Sequence, residues 1–335
     1  MVPAPQPGRR LTRLLIAAAL AAACSPGQPG RVLPPAPEPA RAPALSSTPV
    51  GQVIPLGDTP EGLAVDPGTG LVAVALRRPD RLALVDGRAG RLLRLVPLPA
   101  SARHLTIAGA GEPVLVPGED TDLLLQVRLP AGVVIAQAAV GRQPHDADTA
   151  AGHNFVADEL GGSVSVVDGD RVIRRFAGPI QPGGVAAAGD RVGVVDVRGA
   201  ELFVYDATSL HELARLPAGN GPTHAITVDE GHLVVADTRG GALLVYALTP
   251  KPRQLARLAL PGAPYGLAFD TTRHQLWVTL TASNELVRFD GSPLRRTGSA
   301  LPTVRQPNSV AVDPGTGRVF VAGAVQQGSL QVIDP

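Results

Sequence analysis

The chain has 335 residues, and its 30 Lys+Arg nearly cancel 29 Asp+Glu, which leaves no clustered basic surplus for a nucleic-acid polymer as the main partner. Aromatic residues are only 3%, too few for base-stacking platforms, and the single cysteine removes intramolecular disulfides, zinc–thiolate clusters and c-type haem attachment. With 38 Gly, 34 Pro and 44% apolar residues, the composition suits a large core broken by many tight turns.

Arg9, Arg10 and Arg13 precede a ten-residue apolar run, Leu14 to Ala23, that ends in small residues. A basic start, a short apolar stretch and small residues at the cut describe a secretory signal peptide over residues 1–23. Such a run is too short to cross a bilayer as a helix, which takes roughly 20 residues. The sole cysteine follows in Leu20-Ala21-Ala22-Ala23-Cys24, which resembles a bacterial lipobox, with leucine one place earlier than in the commonest pattern. The resemblance implies lipidation at Cys24 and an extracytoplasmic, membrane-anchored protein. Residues 25–49 carry eight prolines among Ala, Gly and Ser, so 24–49 reads as a semi-rigid polyproline-like tether.

From residue 50 to 335 one pattern recurs: a marker proline, an apolar alternation, a turn, a V-x-V-A strand and an L-x-V-x-D strand. The markers are Pro60, Pro144, Pro182, Pro222, Pro264 and Pro307, with Ala102 in the remaining place, at spacings of 42, 42, 38, 40, 42 and 43 residues. Two copies share one turn, AVDPGTG, at 64–70 and 311–317. Four short strands per unit of about 40 residues predict an all-β, seven-bladed β-propeller. In the third unit the strands fall at 145–149, 154–158, 163–167 and 171–176. The last unit stops after its third strand, and Gly51–Leu56 offers itself as the fourth, closing the ring.

The strings FVADELGGSVSVVD (155–168), LWVTLTASNELVRFD (276–290) and VFVAGAVQQGSLQVID (319–334) resemble the YVTN repeats of YncE-like propellers. The resemblance covers about residues 50–335 and implies a fold rather than an activity. The Asn slot of that family holds Leu76, Gly118, Asp158, Asp196, Asp237, Leu280 and Gly323 here, so no role tied to that Asn carries over.

In a four-strand meander the start of the innermost strand and the end of the second lie at one mouth of the central channel. Arg103, His104, His145, Asp146 and His224 follow marker positions, and Asp158, Asp196 and Asp237 end second strands. Together they predict a polar pocket concentrated in blades two to five, with the aspartates charging or orienting the imidazoles. Glu119, Asp120 and Asp122 read as a solvated loop, Gly219-Asn220-Gly221 as a blade-crossing turn, and Trp277 as core between blades. No G-x-S-x-G elbow occurs, and no motif calls for a cofactor or a resident metal.

The expected function is a non-catalytic binding or scaffold protein of the bacterial cell envelope, whose partner is a small polar ligand or another envelope protein. The alternative is a sugar lactonase at the mouth, for which His145, Asp158 and His224 would be the catalytic set. A single Trp disfavours a quinone-dependent dehydrogenase, whose repeats carry a Trp docking motif.

Overall fold

Each repeat folds as one antiparallel sheet because β-branched, alternating strands are joined by turns that fix their register. The computed structural model describes residues 1–4 and 33–335. It divides into Met1–Leu33 and Pro34–Pro335, and the second unit contains the propeller. Cys24 and the proposed signal segment lie outside the described residues, apart from 1–4. Among the described residues no helix is long and apolar enough to cross a membrane.

Seven four-stranded sheets form seven blades. Blade 3 shows the plan: Pro144–Ala150 innermost, then His153–Asp158, Ser163–Asp168 and Arg171–Ala177 outermost. The sequence-expected strands match these within a residue or two. The ring closes as expected: Gln52–Pro55 pairs with Ser329–Ile333 and supplies the outer strand of blade 7.

Burial follows from this stacking. Middle strands such as Leu71–Arg77 are buried almost throughout, because both faces of a blade lie against neighbouring blades. Outer strands such as Arg171–Ala177 are mostly exposed and rich in arginine, which keeps the outer edges from pairing with other chains. The core is therefore a ring of inter-blade clusters. Trp277 sits in one of them with Val310, Val312 and Val319, between blades 6 and 7. The repeated AVDPGTG turns make the same bonds. Asp66 accepts from Gly68 N and Thr69 Oγ1 at 3.0 and 2.7 Å, and Asp313 accepts from Gly315 N and Thr316 Oγ1 at 2.9 and 2.7 Å.

One irregularity recurs and matters for function. Just after each marker proline the innermost strand slips against its neighbour, between Pro60 and Leu63, Pro144 and Asp146, Pro182 and Val185, Pro222 and Ala225, Pro264 and Leu267, and Pro307 and Ser309. Proline opens the strand, where its missing N–H costs nothing, and the bulge re-aims the next one or two side chains. Those positions hold His145, Thr223, His224, Tyr265 and Asn308, and His145, His224, Tyr265 and Asn308 line hollows at the mouth.

Candidate functional site

Three imidazoles from three blades meet on the channel axis. His104 and His224 approach with their Nε2 atoms 3.1 Å apart, and the rings of His104 and His145 are centred 4.7 Å apart. Glycines in the preceding blades make this convergence possible. A Cβ on Gly62 would lie 2.9 Å from the Cα of His104, and one on Gly184 would lie 2.8 Å from that of His224. The bare glycines of this column let the histidine-bearing strands come close.

Each ring has a fixed partner. His224 Nδ1 lies 3.0 Å from the backbone carbonyl of Tyr265, so it carries the proton and leaves Nε2 free. Burial, with the charges of His145 and Arg103, holds His224 down to about 3 despite that carbonyl. Burial likewise pushes His104 well below the usual histidine range, helped by the charges of its neighbours. His145 behaves oppositely. Burial alone would lower it, but Glu119 and Glu159, 3.5 and 3.2 Å from its Nδ1, outweigh that and raise it to about 9. Glu159 is correspondingly depressed to about 2, its contact with His145 overcoming the upward push of burial.

A second layer of charge surrounds this trio. Arg103 Nε is 3.1 Å and Arg77 Nη2 3.0 Å from Glu119, which is 7% exposed. Glu119 is thus a buried ion-pair hub, which corrects its assignment to a solvated loop. Glu61 is pushed upward by burial, against the lowering charges of Arg103 and Arg77. Of the predicted residues, Arg103, His104, His145 and His224 do come together. Asp146 does not join them. Its carboxylate accepts Val185 N at 2.8 Å and Ala147 N at 2.9 Å, tying blade 3 to blade 4 along the channel wall. Burial pushes Asp146 up to about 7 in spite of those bonds.

Asp158, Asp196 and Asp237 face away from the mouth, contrary to expectation. Asp158 accepts Gly141 N and the hydroxyls of Ser163 and Ser165 at 2.8, 2.6 and 2.8 Å. Asp196 accepts Ile180, Gln181, Arg198 and Gly199 N, and Asp237 accepts Asn220, Gly221 and Gly240 N. The Gly219-Asn220-Gly221 turn is therefore an anion cradle whose anion is the protein's own Asp237. These aspartates anchor the blade-crossing loops and do not orient the imidazoles. Glu159, one residue past Asp158, and Glu119, one residue past Gly118 in blade 2, lie against His145 instead. The strand period of two is the reason, because neighbouring residues point to opposite faces.

The presumed tether also behaves differently over its described part. Residues 34–43 lie across the mouth, bonded to it at several points. Arg239 Nη2 donates to Pro35 O at 2.8 Å, Ala40 N to Thr281 Oγ1 at 3.0 Å, and Asn284 Nδ2 to Pro43 O at 3.1 Å. Gln306 brackets the strap from both sides, accepting from Ala42 N and donating to Ala40 O, each at 2.9 Å. Glu38 reaches to 3.6 Å from Arg103. A proline-rich strand has no internal hydrogen bonds, so its free amides and carbonyls suit docking of this kind. Beneath Glu38 and Pro39 a hollow of about 140 Å³ remains, lined by Glu61, Arg103, His104 and Tyr265. On the other side of the imidazoles the channel encloses about 620 Å³ and runs past Asp148 and Ala187 to Glu230.

The chain matches no family model and no curated protein. Solved structures do resemble it. A hydrazine synthase chain from Kuenenia stuttgartiensis superposes with a TM-score of 0.70 at 15% identity, over 88% of this chain and 99% of that one. A streptogramin B lyase gives 0.71 at 12% identity, over 85% and 97%. The RRP9 WD40 repeats give 0.72 at 13%, over 88% and 99%. At such identities the likeness establishes the propeller fold and leaves activity open.

Proposed function

We propose that the chain is a lipid-anchored binding propeller of the bacterial cell envelope, of the YVTN type, that recognises a carboxylate-bearing polar ligand at its strapped mouth. The observation that carries this reading is the strap itself. The mouth already holds a proline-rich segment through Arg239, Thr281, Asn284 and Gln306, and the one carboxylate of that segment, Glu38, faces Arg103. A ligand presenting a carboxylate to Arg103 and extended polar backbone or hydroxyl groups to the rim would use the same contacts. The Leu-Ala-Ala-Ala-Cys string supports anchoring at Cys24, and a diacylated cysteine with a third chain holds firmly where a single chain does not. The imidazoles lie against groups of the protein itself, His224 on the Tyr265 carbonyl and His104, and His145 3.2 Å from Glu159. That arrangement favours holding a ligand over attacking one.

Two measurements test the proposal. A fatty-acid probe should label the wild-type protein in bacteria and should fail to label Cys24→Ala; equal labelling refutes the anchor. Calorimetry against short cell-wall fragments and acidic sugars should show severalfold tighter binding for Glu38→Ala, which opens the Nη1 side of Arg103 while its Nε stays on Glu119, and loss of binding for Arg103→Ala. A ligand whose affinity ignores both changes binds elsewhere. Saturable hydrolysis of sugar lactones that disappears in His145→Ala would replace this reading with the enzymatic one.

A further inference from the structure

The strap's hydrogen bonds and ion pair leave the three histidines to one another. Their geometry points to a transition-metal site: we propose that the Nε2 atoms of His104 and His224, with His145, bind one zinc-class divalent ion at the inner end of the channel. One candidate ligand atom from each ring lies within 4.8 Å of the others, and the His104–His224 pair is already at 3.1 Å. Bonds of about 2.0–2.1 Å in a tetrahedral set place ligand nitrogens about 3.4 Å apart, so this pair needs almost no movement. His145 has to swing in by roughly an ångström, within the reach of a side-chain torsion.

The surroundings are those a metal-bound histidine needs. Ligating imidazoles hold their remote nitrogen on a carbonyl or a carboxylate, which fixes tautomer and aim. His224 does so on the Tyr265 carbonyl, and the Nδ1 of His145 lies 3.2 Å from Glu159 and 3.5 Å from Glu119, close enough to turn onto either carboxylate. The ion would take the place of the Nε2 proton of His145 and leave its Nδ1–H on the carboxylates. Glu119 and Glu159 supply two negative charges beside a dication, although Glu119 also serves Arg77 and Arg103. The donor set is all imidazole, which selects zinc, copper or nickel over magnesium or calcium. Three protein ligands leave a fourth position, and His104 and His224 both line the 620 Å³ channel, which gives that position room. The inference does not depend on what the outer mouth binds, because none of the strap's polar contacts involves a histidine.

A plainer account makes the 3.1 Å contact a hydrogen bond between two neutral rings, and the experiment separates the two. The full-length protein, stripped with a chelator, is titrated with zinc by calorimetry and with cobalt by visible absorption. One ion per chain and the intense ligand-field bands of tetrahedral cobalt are expected. His104→Ala and His224→Ala should each weaken zinc binding by at least about 100-fold, and Glu159→Gln by about 10–100-fold, as loss of an outer-shell partner does. His232→Ala, at the exposed His232–Asp229 pair, should change nothing. No stoichiometric binding, six-coordinate cobalt bands, or an affinity indifferent to His104→Ala and His224→Ala overturns the site. If the alanine variants fail to fold, the wild-type stoichiometry and cobalt spectrum decide alone.

Discussion

Replacing Asp196 by alanine separates an anchoring role from a ligand-binding one. The carboxylate is 1% exposed and accepts four backbone amides, from Ile180 at 2.7 Å, Gln181 at 3.0 Å, Arg198 at 3.2 Å and Gly199 at 2.9 Å. Ile180 and Gln181 belong to the loop that carries the chain from blade 3 to blade 4, while Arg198 and Gly199 form the turn after the second strand of blade 4. A hydrogen bond to a charged group contributes about 1.5–3 kcal/mol. The turn amides regain water when the side chain is lost, so they contribute little to the difference. The two loop amides set the scale, at about 3 kcal/mol in all with each taken at the lower end of that range. For a domain of this size that corresponds to a fall in melting temperature of about 10 °C, at roughly 2–4 °C per kcal/mol. Urea unfolding followed by fluorescence of Trp277, the only tryptophan, should show a lower midpoint with an unchanged slope. Asp196→Asn keeps one accepting oxygen and should lose about half as much. Binding at the mouth should survive in both variants. A loss below about 1 kcal/mol in Asp196→Ala, or a stable variant that no longer binds ligand, would refute the anchoring role.

The ring closure and the tyrosines give two further tests. Gln331 is fully buried; its Oε1 accepts Val304 N at 2.9 Å and its Nε2 donates to Val50 O at 2.7 Å and Pro302 O at 3.1 Å, so it staples the first strand and blade 6 to blade 7. Gln331→Ala should cost about 2–3 kcal/mol by orphaning a buried amide and should raise hydrogen exchange first in Gln52–Pro55; uniform exchange across all blades would refute the staple. Tyr205, Tyr246 and Tyr265, the only tyrosines, are all buried, and burial raises every one of their phenols. A raised folded value means the neutral form is favoured by folding, so this stability is complete below about pH 10 and is lost as pH climbs further. Tyrosinate absorbance should therefore stay silent through pH 10 and appear only with unfolding, while denatured protein titrates near 10; a phenol that ionises in the folded state contradicts it.

The fold was readable because the repeats state it redundantly. Marker prolines about 40 residues apart, two identical AVDPGTG turns and an orphan strand at Gly51–Leu56 each point to a closed seven-bladed ring, and a local misjudgement in one repeat is corrected by the others. The site has no such redundancy. The column after the markers was legible because the bulge is repeated with the proline, so His145 and His224 fall where expected. The column at the second-strand ends was not. Asp158, Asp196 and Asp237 stand out by composition, yet their carboxylates hold loop amides and hydroxyls, and the carboxylates beside His145 are Glu119 and Glu159, each one step past the slot that holds Gly118 and Asp158. A shift of one residue exchanges the two faces, and no hydrophobic alternation marks the choice at a strand end where both neighbours are acidic. The signal that could have decided it is the glycine pattern. Gly141, Gly199 and Gly240 each place a hypothetical Cβ within 2.4 Å of an aspartate oxygen, so those loops are shaped around the carboxylates. Glycines flanking a repeated acidic residue therefore mark a loop anchor. The strap was invisible for a different reason: Pro34–Pro43 has the composition of a spacer, and its docking depends on Thr281, Asn284 and Gln306, which lie about 240–265 positions away in the sequence and carry no local sign of the segment they hold.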